Sequence, residues 1–120
     1  MSNVNGVFAR VAVPDLDSAI PLYQALAGVT DLRRFYFRDV ELAWVGPFLL
    51  LSGNTAPYLD RVATILVNDL APVISAIGDA GGQILDGPSA APNGARLVAR
   101  HPDGSVFEYI QSAGAPGLRP

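Results

Sequence analysis

Apolar and polar positions along this chain follow two spacings, and the whole pattern occurs twice. In each copy an apolar strand ends at an Asp-Leu junction, apolar residues then recur three and four positions apart, and glycine follows. The junctions are Val13-Pro14-Asp15-Leu16 and Val67-Asn68-Asp69-Leu70. Such a repeat predicts two similar halves that bury a face against each other. We therefore expect a ligand to bind at the surface between the halves.

The spacing predicts a β-α-β-β-β order in each half. The first half has a strand at 7–13, a helix at 16–27 and strands at 32–37, 40–45 and 47–52. The second has a strand at 61–67, a helix at 70–80 and strands at 83–86, 95–100 and 106–111. Asp15 or Asp17 is expected to cap the first helix and Asp69 the second. Residues 1–5 and 113–120 are predicted to be loose tails, and 87–94 a loop rich in Pro, Ala and Gly.

This order predicts an α+β fold in a single domain, with one module at about 6–53 and the other at about 61–112. The hydrophobic share of 50% with 16% charged residues is typical of a compact domain. Cysteine is absent, which excludes disulfides and thiolate chemistry and is typical of a cytoplasmic protein. All eight basic residues are arginine, so no lysine can form a Schiff base.

The net charge of −3, with arginines scattered along the chain, argues against a nucleic-acid partner. No apolar stretch is long enough to span a bilayer, and the first residues show no signal-peptide pattern. We therefore expect neither nucleic acid nor membrane as a partner. The apolar composition would suit a buried interface, and a homodimer is expected.

Three segments, in this order, resemble the vicinal oxygen chelate superfamily, the glyoxalase/bleomycin-resistance/dioxygenase fold. They are VAVPDLDSAIPLYQALAG at 11–28, ILVNDL at 65–70 and ARHPDGSVFEY at 99–109. The resemblance covers about residues 6–112. It implies two tandem βαβββ modules whose curved mixed sheets form a cup. Because this fold hosts many activities, the resemblance points to fold more strongly than to reaction.

Enzymes of this superfamily typically hold a divalent metal in the cup. The positions that the resemblance implies for its ligands are Phe8, Leu50, Val62 and Glu108. Divalent cations need oxygen, nitrogen or thiolate donors, and three of these four side chains supply none. We therefore expect no metal and no cofactor, which places the chain in a metal-free branch and disfavours glyoxalase or dioxygenase chemistry. His101 lies in a tight turn, where a structural role is expected.

Alternation along the strands predicts a mostly apolar lining for the cup, with a few polar groups. The expected ligand-binding residues are Phe8, Arg10, Trp44, Leu50, Val62, Thr64 and Glu108. Glu108 has two open interpretations. A carboxylate among apolar neighbours could act as a general acid or base, or it could form an ion pair with Arg10 or another arginine. Trp44 could stack on a flat ligand or serve ordinary packing.

Two functions follow from this site. The first is metal-independent binding or sequestration of a hydrophobic small molecule, as in the bleomycin-resistance branch, with its aromatic character left open. The alternative is a cofactor-independent enzyme (an isomerase, a cyclase or an epoxide-opening enzyme) with Glu108 as catalytic acid/base. A regulatory or interaction module without small-molecule chemistry is a third, less favoured alternative. The sequence leaves open whether the cup closes within one chain or across a dimer.

Overall fold

The computed structural model describes residues 2–91 and 94–112. The chain divides into two compact units. One is Phe8–Asp60, and the other begins at Arg61 and includes the first residues of the chain through Val7. No helix among the described residues is long and apolar enough to cross a membrane.

The observed elements confirm the repeated β-α-β-β-β order and the mixed α+β class. They are β1 (Val4–Ala12), α1 (Leu16–Ala27), β2 (Arg33–Phe37), β3 (Val40–Val45), β4 (Phe48–Gly53), β5 (Arg61–Val67), α2 (Leu70–Asp79), β6 (Gln83–Ala91), β7 (Gly94–Arg100) and β8 (Val106–Ser112). In the unit Phe8–Asp60, β1 pairs in parallel with β4, while β2, β3 and β4 are antiparallel. The other unit repeats this mixed pattern, because β5 pairs in parallel with β8 and β6, β7 and β8 are antiparallel.

Both helices begin at the predicted aspartates. Asp15 accepts hydrogen bonds from the backbone N–H and the hydroxyl of Ser18, at 2.9 and 2.7 Å. Asp69 accepts one from the backbone N–H of Ala71 at 3.0 Å. These bonds satisfy N–H groups that have no partner within the helix. Pro21 lies inside α1, so the helix continues past a residue that cannot donate a backbone hydrogen bond.

Each helix covers one face of the sheet in its own unit. The buried cluster between α1 and its sheet consists of Leu16, Ile20, Ala43, Val45 and Leu50. The cluster beneath α2 consists of Val67, Leu70, Ile77, Leu97, Ala99 and Tyr109. The strand residues of both clusters are alternate ones, which point to one face of the sheet. Each sheet therefore has a second face that its helix does not cover.

The placement of Leu50 corrects one prediction. Leu50 pairs with Val11 and Ala43 in the sheet and packs beneath α1. The sequence predicts Leu50 on the same face as Phe8 and Arg10. Leu49 lies on that face instead, because it is the register partner of Arg10. Because side chains alternate along a strand, an error of one residue in counting along β4 moves the side chain to the opposite face.

Two segments predicted to be irregular are strands. β1 begins at Val4, within the predicted tail, and Asn3 fixes its start because its side chain donates to the Asp69 carbonyl at 2.9 Å and accepts from the Asp69 N–H at 3.0 Å. β6 extends to Ala91 through most of the predicted 87–94 loop. Backbone pairing overrides the local preference of Gly and Pro here. The predicted tail 113–120, residue 1 and loop residues 92–93 lie outside the described residues.

The burial of Leu50 predicts a stability effect without a role in ligand contact. We expect Leu50→Ala to lower the free energy of unfolding by about 3 kcal/mol, because it leaves a cavity beneath α1. Leu59→Ala, at an exposed position of the same unit, is the matched control and should change it by less than about 0.5 kcal/mol. Urea unfolding followed by circular dichroism measures both. Equal effects would contradict the packing described here.

The cap of α1 predicts a pH dependence. The hydrogen bonds from the Ser18 hydroxyl and then from its backbone N–H hold the pKa of Asp15 below its ordinary value of 3.8. Since the folded-state pKa is the lower one, the stabilisation is complete above pH 3.8 and is lost as pH falls through the folded-state value. An asparagine accepts the same bonds without titrating. The free energy of unfolding of Asp15→Asn, from urea titrations, should therefore fall less in acid than that of the parent, and parallel curves would refute the assignment.

Candidate functional site

A connected set of polar side chains lies on β5, β6, β7 and β8. The Thr64 hydroxyl donates to Oε1 of Glu108 at 2.8 Å. Nε of Arg96 donates to Oε2 of Glu108 at 3.1 Å, and Nη1 of Arg96 donates to Oδ2 of Asp86 at 3.1 Å. We call these four residues, Asp86, Arg96, Glu108 and Thr64, the ionic network.

The register explains why these residues meet. Thr64 and Glu108 are direct partners across the β5–β8 pair. Val98 of β7 lies opposite Glu108 on β8 and opposite Asp86 on β6. Arg96 lies two residues before Val98, so its side chain is on the same face. The residues that follow Thr64, Arg96 and Glu108 in sequence point the other way and pack towards α2; they are Ile65, Leu97 and Tyr109. The ionic network therefore lies on the face opposite α2, and the predicted placement of Thr64 and Glu108 on one face agrees with the register.

Charge burial is the main energetic feature of this network. The Arg96 side chain is 4% exposed and that of Glu108 is 14% exposed. Removing a charge from water is costly, and a buried ion pair is tolerated only when hydrogen bonds satisfy the remaining groups. Here Thr64 supplies a hydrogen bond to Oε1 while Arg96 supplies one to Oε2. Glu108 thus forms an ion pair with an arginine, which was the second of the two roles open for it from the sequence.

Sequence reasoning missed two members of the ionic network. Arg96 provides the ion pair, whereas the sequence drew attention to Arg10. Asp86 ends the predicted strand 83–86, and its place in the sequence indicates no role. A signal for Arg96 was present, since it is the single charged residue within the apolar segment 94–99. A charged residue in a strand predicted to be buried indicates a buried partner.

The implied metal ligands do not fit a divalent cation. Phe8 and Val62 offer no donor atom, and Leu50 packs beneath α1. Each oxygen of Glu108 already accepts a hydrogen bond, one of them from a guanidinium. Among residues 2–91 and 94–112, no group of three or more His, Cys, Asp or Glu side chains could hold a metal ion. A cation at Glu108 would have to share this carboxylate with the Arg96 guanidinium, whose positive charge would repel it.

A second group of candidate residues lies in the unit Phe8–Asp60, on the face opposite α1. The ring centroids of Phe8 and Trp44 are 4.7 Å apart with an interplanar angle of 62°, and those of Phe35 and Trp44 are 5.8 Å apart at 29°. We call Phe8, Phe35 and Trp44 the aromatic face. Trp44 is 4% exposed and Phe8 is buried, whereas Phe35 is only half-buried. Phe35 therefore presents the accessible surface of this group.

The other predicted site residues have distinct positions. Arg10 is the register partner of Leu49, which places it on the same side as Trp44, and its Nη2 donates to the Tyr58 carbonyl at 3.2 Å. Val62 is 58% exposed. The register between β5 and β8 shifts between Arg61 and Thr64, so alternation counted back from Thr64 does not extend to Val62.

His101 has structural contacts in the turn between β7 and β8. Its ring stacks on Phe107 at 4.3 Å and 14°, and its Nε2 lies 2.7 Å from the Tyr109 hydroxyl. Burial raises the pKa of Tyr109 above its ordinary value of 10.0. The backbone N–H of His101 donates to the Ser105 carbonyl, and its carbonyl accepts from Gly104, which agrees with the predicted turn.

The ionic network predicts that Glu108 contributes strongly to stability. We expect Glu108→Gln to lower the free energy of unfolding by about 3 kcal/mol, because it removes the buried counter-charge of Arg96. Glu41→Gln is the matched control. Glu41 also shares an arginine, Arg34, with a second carboxylate, that of Asp17, but Arg34 is 35% exposed and Glu41 is 27% exposed. It should have a much smaller effect. Guanidinium chloride unfolding measures both, and an unchanged stability of Glu108→Gln would refute the structural role.

Comparisons with known proteins agree with this architecture. No protein-family model matches the chain, and no curated protein matches it. An uncharacterized protein from Methanosarcina mazei is 32% identical, with a TM-score of 0.88 and coverage of 96% of this chain and 97% of that one. Methylmalonyl-CoA epimerase from Streptomyces coelicolor, solved with 2-nitronate-propionyl-CoA, is 19% identical, with a TM-score of 0.69 and coverage of 95% and 99%.

Methylmalonyl-CoA epimerase from Mycobacterium tuberculosis is 22% identical, with a TM-score of 0.67 and coverage of 98% of this chain and 93% of that one. Identities at this level indicate a shared fold rather than a shared reaction. The match to the Methanosarcina protein is closer in both sequence and structure, and it spans nearly the whole of both chains. The chain therefore belongs to the same family as the uncharacterized Methanosarcina mazei protein and shares the fold of methylmalonyl-CoA epimerase, a member of the vicinal oxygen chelate superfamily.

Proposed function

We propose that this chain binds a flat, hydrophobic small molecule without a metal ion and releases it unchanged. The observation that carries the proposal is the engagement of Glu108, the single carboxylate among the expected ligand-binding residues. Oε1 accepts from Thr64 and Oε2 accepts from Arg96. A metal ion or a substrate proton would have to compete with these contacts. Glu108 is therefore better suited to hold Arg96 in place than to react.

The aromatic face supports the choice of ligand. Aromatic rings attract flat apolar molecules through burial and through stacked or edge-to-face contacts. Phe35 is stacked on Trp44 and remains half-exposed, so a ligand can contact one side of its ring while Trp44 supports the other. Arg10 and the edge-to-face pair of Phe37 and Tyr58, at 6.1 Å, lie in the same unit. Apolar walls with a few polar groups are typical of small-molecule sites.

The second candidate is a cofactor-independent isomerase with Glu108 as the acid/base, and the shared fold with an epimerase favours it. Such an enzyme would move a proton at a carbon atom, and Glu108 would have to break a hydrogen bond to accept it. Incubation with methylmalonyl-CoA in deuterium oxide distinguishes the candidates. Deuterium incorporation by the parent that is lost in Glu108→Gln would favour the enzyme over the binding protein.

We also propose that the protein forms a homodimer. Leu22 and Leu26 on the outer side of α1 are exposed, and apolar side chains at such positions are compatible with an interface between copies. The proposed ligand binding concerns the aromatic face, and its test does not depend on the number of copies.

The binding proposal predicts a site-specific fluorescence signal. Trp44 is the single tryptophan, so titration with the neutral probe N-phenyl-1-naphthylamine should quench its emission saturably. The dissociation constant should be unchanged by EDTA. Phe35→Ala should raise it about tenfold, because the ring that meets the ligand is lost.

Tyr36→Ala is the matched control for Phe35→Ala. Tyr36 is the next residue of β2, points to the opposite face and is 70% exposed. Its replacement should leave the dissociation constant unchanged. The proposal fails if quenching does not saturate, if EDTA abolishes it, or if the two variants weaken binding equally.

A further inference from the structure

Asp86 and Glu108, which both bind Arg96, differ in their exposure to water. The side chain of Asp86 is 50% exposed, whereas that of Glu108 is 14% exposed. Half of the Asp86 side chain already lies in water, so this carboxylate can return to solvent at little cost if another carboxylate takes its place on the buried guanidinium. Another carboxylate can therefore replace Asp86 on Arg96 at a lower cost than it can replace Glu108.

The backbone around Asp86 is irregular on both sides. The register of β6 with β7 shifts between Ile84 and Asp86 and again between Asp86 and Ser89. Such bulges redirect side chains and are frequent beside binding sites. Gly87 has φ +86, and a Cβ atom there would lie 2.5 Å from the Arg96 carbonyl oxygen. β6 can thus lie close to Arg96 because the residue after Asp86 has no side chain.

We propose that Arg96 binds the carboxylate of a small organic acid and that Asp86 competes for the same guanidinium. A guanidinium presents several N–H donors in a plane that matches a carboxylate. Nη1 of Arg96 donates to Asp86, and a ligand carboxylate takes over this bond. The bond from Nε to Glu108 stays in place and keeps the guanidinium oriented. The hydrated position of Asp86 provides the route from solvent.

This inference goes beyond the proposed function, because it concerns a different unit and a different class of ligand. It requires neither the aromatic face nor an apolar molecule. The two proposals can therefore fail separately. Retained quenching by N-phenyl-1-naphthylamine without anion binding at Arg96 would leave the first standing and remove the second.

The test is a titration with sodium malonate followed by ¹⁵N NMR at the Nε–H signal of Arg96. Malonate should shift this signal saturably in the parent protein. In Asp86→Asn the dissociation constant should fall about fivefold, because the competing carboxylate is gone. Malonate should also raise the Tm of Asp86→Asn more than that of the parent, since binding to the folded state stabilises it.

Asp17→Asn is the matched control. Asp17 shares Arg34 with Glu41, so this variant also removes one of two carboxylates from an arginine, but at an exposed position. It should leave malonate binding at Arg96 unchanged. Equal dissociation constants for the parent and Asp86→Asn, or a shift that does not saturate, would overturn the proposal. If Asp86→Asn does not fold, the parent titration decides alone, since the absence of a saturable shift at Arg96 refutes the site.

Discussion

The need to neutralise one buried positive charge organises the candidate site. The Arg96 guanidinium is almost completely removed from water, and this is tolerable only beside counter-charges in good hydrogen-bonding geometry. Glu108 and Asp86 supply the counter-charges, and Thr64 satisfies the second oxygen of Glu108. These contacts link β5, β6, β7 and β8 on the face opposite α2. The same contacts limit what Glu108 can do, because a carboxylate held by an arginine and a hydroxyl is not readily available to a metal or a substrate proton.

The two faces of each sheet carry different kinds of side chain. Beneath each helix lies an apolar cluster, which removes hydrocarbon from water and contributes most of the stability. The opposite faces carry the unusual side chains: the aromatic face in one unit and the ionic network in the other. Because neighbouring residues on a strand face opposite ways, one strand can serve both purposes. Leu50 and Leu49 illustrate this division, since they are adjacent in sequence and point to opposite faces.

The fold is shared with a known enzyme, but the side chains at the implied metal positions do not suit a metal ion. The chain shares its fold with methylmalonyl-CoA epimerase, yet the positions from which the superfamily typically holds a metal carry apolar side chains or a carboxylate that arginine already binds. Architecture depends on the spacing of apolar residues, which many sequences satisfy. A reactive site depends on a few donor atoms, and single substitutions remove them.

The sequence alone determined the order of elements, the Asp69 cap and the α+β class, because these depend on local spacing and on short-range hydrogen bonds, and it narrowed the cap of α1 to Asp15 or Asp17. It also singled out Glu108 and Thr64. The tertiary structure decided which arginine binds Glu108, since Arg96 reaches it only through the pairing of β7 with β8. It likewise decided the face of Leu50 and the strand character of Val4 and of residues 87–91. Register and pairing arise between segments distant along the chain, and the residue pattern within one segment does not specify them.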